Sequence, residues 1–198
     1  MQDGFYSWAT AKLYYSTFYS IRGMLAMRGF GIFYYDEKPM IIEAVAGASF
    51  RKPSKSESKG GTHGLVQTVF SNKFYNHILL SQPINGIPGP RWMKERREEV
   101  NYGSARYFEP KVPRWMNSID HLGIRKRLNA YLSDDNFLYS FDEDHAILAF
   151  PIFCARNILK DINDAGKGLS EEDTQFLAQK VVDDAGPISG WTRFIREQ

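Results

Sequence analysis

FYSWATAKLYYSTFYSIRGMLAMRG, residues 5–29, is the stretch that decides the fold. It holds no proline, and no glycine before Gly23. Tyr14, Phe18, Ile21 and Leu25 recur three or four residues apart, the spacing that gathers side chains on one face of an α-helix. A second stripe of small residues, Ser16, Ser20 and Gly23, runs beside them and would let another backbone approach. The large side chains spread wider than the roughly 100° apolar stripe of a surface helix. The helix is therefore expected to be covered on most sides, as the central arm of a bundle.

Downstream, two β-prone runs, 32–35 and 40–45, flank Asp36-Glu37-Lys38-Pro39 and predict a β-hairpin with a loop of about four residues. Residues 51–61 are polar and end in Gly60-Gly61, the pattern of a flexible loop. A second helix is expected from Thr62, with Thr62 as its N-cap and Leu65, Val66, Val69, Phe70 and Phe74 on its buried face. Residues 82–90, QPINGIPGP, read as a connector. A third helix follows over 91–108, with Met93, Arg97, Val100 and Ser104 on one face. Pro113 is placed to open a further helix carrying Trp115, Ile119 and Leu122, which Gly123 bends or ends before IRKRLNAYL.

Ser140 and Glu143 have capping-box spacing ahead of the apolar run 146–159, which predicts another helix, with Pro151 as a kink. Ser170 is read as the cap of a helix over 171–185 with Leu177, Val181 and Ala185 inward. Gly186-Pro187 would end it before an amphipathic tail, 191–195. The fold class expected is mainly α: a helical bundle, one domain over 1–198, with a small β-hairpin after the first helix.

A length of 198 residues suits one domain, for which roughly 100–200 residues is usual. The single cysteine, Cys154, lies among apolar neighbours that would do nothing to lower its pKa, so it reads as a buried, inert thiol. One thiol forms no intramolecular bridge, which favours a reducing, cytoplasmic setting. No apolar run approaches the ~18 residues of a membrane span, and MQDGFYSW lacks the pattern of a signal peptide. A formal charge of +2 is too small to indicate nucleic acid by itself.

Three pieces carry a family likeness: AKLYYSTFYSIRGMLAMRGF (11–30); Thr62-His63-Gly64-Leu65-Val66 with Phe70, Lys73 and Phe74; and KERREEVNYG (94–103). In this order they resemble helices of the HEPN superfamily, close to its small bacterial and archaeal group found beside nucleotidyltransferases. The likeness covers about residues 5–108, with 31–61 as a hairpin and loop insertion, 109–167 as a helical insertion, and 170–197 supplying closing helices. It implies an up-and-down bundle acting as a homodimer in a toxin–antitoxin, defence or stress setting. RNA or a nucleotide is the implied ligand, a nucleotidyltransferase the implied partner, and no metal or cofactor is required. In that comparison the Ser16–Ser20–Gly23 stripe becomes a close-packing line against the helix carrying Arg97.

Active members of that superfamily are metal-independent ribonucleases with an Arg, four to six residues and a His. The histidine moves a proton between the ribose 2′-OH and the leaving group, and the arginine stabilises charge on the phosphate. Here the arginine corresponds to Arg97, with Arg96 beside it, while the histidine position holds Tyr102 or a neighbour. A phenol of pKa about 10 is a poor base at neutral pH. The resemblance thus leaves two expectations: an endoribonuclease with a degenerate motif built on Arg97 and Tyr102, or a non-catalytic module binding a partner protein or a nucleotide. Arg96, Asn101 and His63 are the candidate nucleotide contacts. A structural reading of Arg97, tied to a carboxylate or to a residue of the first helix, stands beside these.

A literal match, Arg114 to His121 in RWMNSIDH, falls in the insertion and is the runner-up catalytic pair; its competing reading is a first-turn surface arginine and a helix-end histidine. His77 is read as lying at a fraying helix end. His145, in Asp142-Glu-Asp-His145, is read as part of a helix start and not as a metal site, because contiguous residues point different ways. Arg125-Lys126-Arg127 reads as a solvated face.

Overall fold

The first helix, α1 (Tyr6–Met27), buries Thr10, Tyr14, Thr17, Phe18, Ile21, Met24 and Leu25, so the apolar stripe seen in the sequence is its core face. The computed structural model describes residues 6–58, 61–102, 123–166, 168–183 and 185–196. Gly29 ends the helix in the left-handed region, at φ +82°, and its carbonyl accepts from Ala44 N at 2.7 Å, which turns the chain into a hairpin. Strands β1 (Phe30–Tyr35) and β2 (Lys38–Glu43) pair antiparallel from Phe30↔Glu43 to Tyr35↔Lys38. The turn is two residues and not four: Asp36 and Glu37 both take positive φ, 49° and 58°, the geometry that matches strand twist, while Lys38 and Pro39 already belong to β2. Ile32 and Ile41 face the core, and Met40 is buried on the other face of the hairpin.

Residues 51–58 are not a free loop. Arg51 bridges back to Ile41, and its guanidinium holds Glu57 through two hydrogen bonds of 2.8 and 2.9 Å. Helix α2 (Gly61–Lys73) buries Leu65, Val66, Val69 and Phe70 as expected. It starts one residue early, so Thr62 sits inside the first turn, where its hydroxyl meets that of Tyr34.

The proline-rich connector contains a second hairpin, β3 (Pro83–Ile84) and β4 (Ile87–Pro88), turned by Asn85-Gly86 with φ 47° and 78°. It leads into α3 (Gly89–Tyr102), which buries Trp92, Met93 and Val100. The expected continuation of α3 to residue 108, the helix opened by Pro113, and the pair Arg114 and His121 lie outside the described residues.

Beyond them, α4 (Ile124–Leu132) follows Gly123, and a turn of 3₁₀ helix at Tyr139–Phe141 precedes α5 (Ala146–Asp164). The Ser140–Glu143 capping box does not form: Ser140 is buried in the 3₁₀ turn, and His145 occupies the N-cap without a side-chain cap bond. Pro151 is accommodated inside α5. Ser170 does cap α6 (Glu171–Ala178), accepting from Asp173 N at 3.0 Å. That helix stops at Ala178, short of 185, because residues beyond it form a third hairpin, β5 (Val182–Asp183) with β6 (Gly186–Pro187), leaving Ala185 exposed. The chain closes with α7 (Ser189–Arg196).

The fold is mainly helical, with α1 packed against α2, α3 and α5 over one hydrophobic core. The small-residue stripe does not face α3. A Cβ on Gly23 would come 3.0 Å from Ile158, so the close approach is between α1 and α5, and Ser16 is exposed. Among the described residues no helix is long and apolar enough to cross a membrane.

Candidate functional site

Consecutive residues on a helix point about 100° apart, so Tyr14 and Tyr15 divide between two environments: Tyr14 is buried and Tyr15 half-buried. Their two rings make one tilted pair, 5.4 Å between centroids. His63, from the first turn of α2, packs onto this pair and most closely onto Phe18, at 4.5 Å between centroids. Its Nδ1 lies 2.6 Å from Tyr14 Oη. From α3, Arg97 donates through Nη2 to Tyr15 Oη at 3.3 Å, and its guanidinium carbon sits 5.9 and 5.8 Å from the Tyr14 and Tyr15 centroids. At that range the ring faces attract the cation. Three helices thus bring Arg97 and His63 to one tyrosine pair.

The hydrogen-bond partners assign the protons. Burial raises the Tyr14 phenol above its ordinary pKa, against a smaller opposing pull from Arg97, so it stays protonated. Its only hydrogen-bond partner among the described residues is His63 Nδ1, and a buried hydroxyl without another acceptor donates to the one it has. Nδ1 is therefore the acceptor and the ring proton resides on Nε2. Burial lowers the His63 pKa, and the charges of Arg97 and Lys94 lower it further against Glu98. His63 is a neutral imidazole offering one N–H, next to a permanent cation. Such a pair suits an anion: two donors, one of them charged.

Lys94 and Glu98 also line a groove of about 610 Å³ between α2 and α3. Its α2 wall is Gly64, Gln67, Thr68 and Ser71, on one face at helical spacing. Gln67 donates to Pro90 O at 2.8 Å and ties the two walls together.

Of the residues singled out from sequence, Arg97 and His63 both contact the Tyr14–Tyr15 pair. Arg96 lies along the buried Trp92 ring, 5.5 Å from its centroid, and pairs with Glu99 at 3.5 Å. Asn101 is exposed near the end of α3, and Tyr102 is its last residue. Arg97 does contact a residue of the first helix, Tyr15. Tyr14 lies on the core stripe legible in the sequence, and the place of Tyr14 and Tyr15 in the site is not; the available signal is that a buried tyrosine hydroxyl needs a partner.

Two further histidines, His77 and His145, have structural partners. His77 Nδ1 accepts from Leu79 N at 3.2 Å, so it caps a 3₁₀ turn where the sequence reading had a fraying end. His145 Nδ1 lies 2.9 Å from Tyr131 Oη. Cys154 is fully buried, and burial raises its pKa. Arg125 is not part of a solvated face: it holds Asp183 and the carbonyls of Gly186 and Pro187. Among the described residues no three His, Cys, Asp or Glu side chains gather as metal ligands would. No protein-family model, curated protein or solved structure matches the chain.

Proposed function

We propose that this chain is a HEPN-like helical protein that binds RNA or a nucleotide by a phosphate, with Arg97 and His63 as the binding pair. The observation that carries the reading is their convergence on Tyr14 and Tyr15, with a neutral imidazole beside a guanidinium. Arg97 supplies the charge and His63 Nε2–H a directional donor, with the charge of Lys94 also felt at His63. The resemblance adds a homodimer, a nucleotidyltransferase partner and a toxin–antitoxin, defence or stress setting to this proposal.

Cleavage is the second reading, favoured by the residue types: an arginine and a histidine are what the superfamily's ribonucleases use. It requires His63 to accept a proton at Nε2, and this means giving up the Tyr14 hydrogen bond in its present sense. Binding is therefore preferred.

The test is fluorescence anisotropy with a labelled 12-nucleotide RNA in EDTA at low salt, with the RNA run on a gel afterwards. Loss of one charge-assisted contact is worth ~1.5–3 kcal/mol, so Arg97→Ala is expected to bind roughly ten- to a hundredfold more weakly, and His63→Ala less so. Unchanged affinity in Arg97→Ala overturns the site. Cutting by the wild type that is lost in His63→Ala replaces binding with cleavage.

A further inference from the structure

We propose that the outward stripe of α1, Trp8, Lys12, Tyr15 and Tyr19, is a stacking platform for the bases of single-stranded RNA. The proposal rests on the phosphate-binding reading of Arg97 and His63 and names the form of nucleic acid that site receives.

The four residues are spaced four, three and four apart, which makes one line along the helix. Trp8 is 64% exposed and Tyr19 60%, although the other side of α1 is buried in the core. Lys12 is exposed, with its Nζ 5.5 Å from the Trp8 ring centroid. Tyr15 and Tyr19 stack at 6.2 Å and 27°. Tyr15 also stands edge-on to His63 and accepts the Arg97 hydrogen bond, so the line is continuous with the anion site.

Core packing does not account for flat rings held open to water. Their chemistry suits bases, since every base has a π-face and base–aromatic stacking tolerates any sequence. Charge selects the occupant. Between Tyr6 and Met27 the only charged residues are Lys12 and Arg22, with no carboxylate, so on α1 a phosphate backbone meets cations and no acid. A second copy of the chain fits less well: a two-fold contact through this stripe would set Lys12 against its own copy with no carboxylate on α1 to answer it. A duplex fits less well too, because A-form RNA hides its base faces and offers ribose, phosphate and a shallow groove. Eleven residues at 1.5 Å give about 16 Å from Trp8 to Tyr19, room for about four or five nucleotides at 3.4 Å.

The experiment compares an 8-nucleotide RNA, single-stranded and annealed to its complement, by anisotropy against wild type, Trp8→Ala, Trp8→Phe, Tyr19→Ala and Arg97→Ala. Sedimentation and circular-dichroism melts run alongside. The expected result is preference for the single strand, roughly five- to a hundredfold weaker binding for each alanine variant at Trp8 and Tyr19, near-wild-type binding by Trp8→Phe, and unchanged melts. If Trp8→Ala and Tyr19→Ala bind as wild type does while Arg97→Ala is weakened, the platform is overturned and the phosphate site stands. The converse pattern supports the platform and removes Arg97. Trp8→Ala that loses self-association but keeps its RNA affinity makes the stripe a self-interface and overturns the proposal. Wild type that binds neither RNA overturns both.

Discussion

Tyr14 Oη lies 2.6 Å from His63 Nδ1, and this bond joins the buried face of α1 to the first turn of α2. It fixes which ring nitrogen of His63 carries the proton, and so whether the site offers a donor or a base. Tyr14→Phe keeps the ring in the core and removes only the hydroxyl. The loss expected is about 1 kcal/mol of stability, the net worth of one such bond, and the tautomer that the bond assigns to wild-type His63 is Nε2–H. Nitrogen-15 spectra of the imidazole read this directly: wild type should show the Nε2–H form, and an Nδ1–H form there would reverse the donor assignment.

Arg125 reaches across 58 residues to Asp183, with Nε donating to Oδ2 at 2.7 Å, and its Nη2 and Nη1 donate to the carbonyls of Gly186 and Pro187 at 2.8 and 3.2 Å. One planar guanidinium therefore holds both arms of the last hairpin. Arg125→Ala should open that hairpin without unfolding the main core, seen as faster hydrogen exchange at Ile188, whose N–H bonds Val181 O, and as new proteolytic cuts within 181–188. Arg125→Lys should behave alike, because an ammonium has no fork to serve three acceptors. Wild-type exchange rates in both variants would show that packing alone holds the hairpin.

The same contact explains where sequence reading stops. Leu177, Val181 and Ala185 have helical spacing, and the expected helix ran through all three. The hairpin that breaks it is held by a residue far away in sequence, which local periodicity does not register. His63 is a parallel case: nothing local distinguishes a helix-start histidine from one bonded to Tyr14, 49 positions earlier. What depends on local pattern was readable. The Tyr14, Phe18, Ile21 and Leu25 stripe, the β1–β2 hairpin, the buried face of α2 and the Ser170 cap are each set by neighbours within a turn or two. Asn85-Gly86 carried a hairpin signal that Pro83 and Pro88 concealed, because proline weakens a long ladder but not one of two pairs.

Acid should weaken the fold in two separate windows. Burial is the first cause lowering the pKa of His63, His77 and His145 alike. Their unfolded forms protonate near 6.5, so below that pH the unfolded chain binds more protons and stability falls with falling pH. Their contribution is complete above 6.5 and is lost as pH drops towards the folded values. Glu57 acts lower down: its hydrogen bonds from Arg51 bring it from 4.5 to about 2, so its contribution is complete above 4.5 and disappears between 4.5 and about 2. Urea midpoints should be lower at pH 5.5 than at pH 7.5, and Glu57→Gln should leave that difference intact. Equal midpoints at the two pH values would mean that the three histidines titrate normally in the folded chain.

Gly89 opens α3 against the edge of the Phe150 ring, and a Cβ there would collide with that ring. Phe150 is fully buried and packed edge-on to Phe141 and Phe153, with centroids 6.1 and 6.3 Å away, so it has no room to retreat. Gly89→Ala should therefore destabilise by the ~1–3 kcal/mol of an overpacked core, roughly 2–12 °C in Tm for a chain of this size. Phe150→Leu alone should also destabilise, by leaving a void. In the double variant the methyl group enters that void, so the combined loss should be clearly smaller than the sum of the two. Thermal melts of the four proteins close the cycle, and a strictly additive result would place the cost of Gly89→Ala in the helix start and not against Phe150.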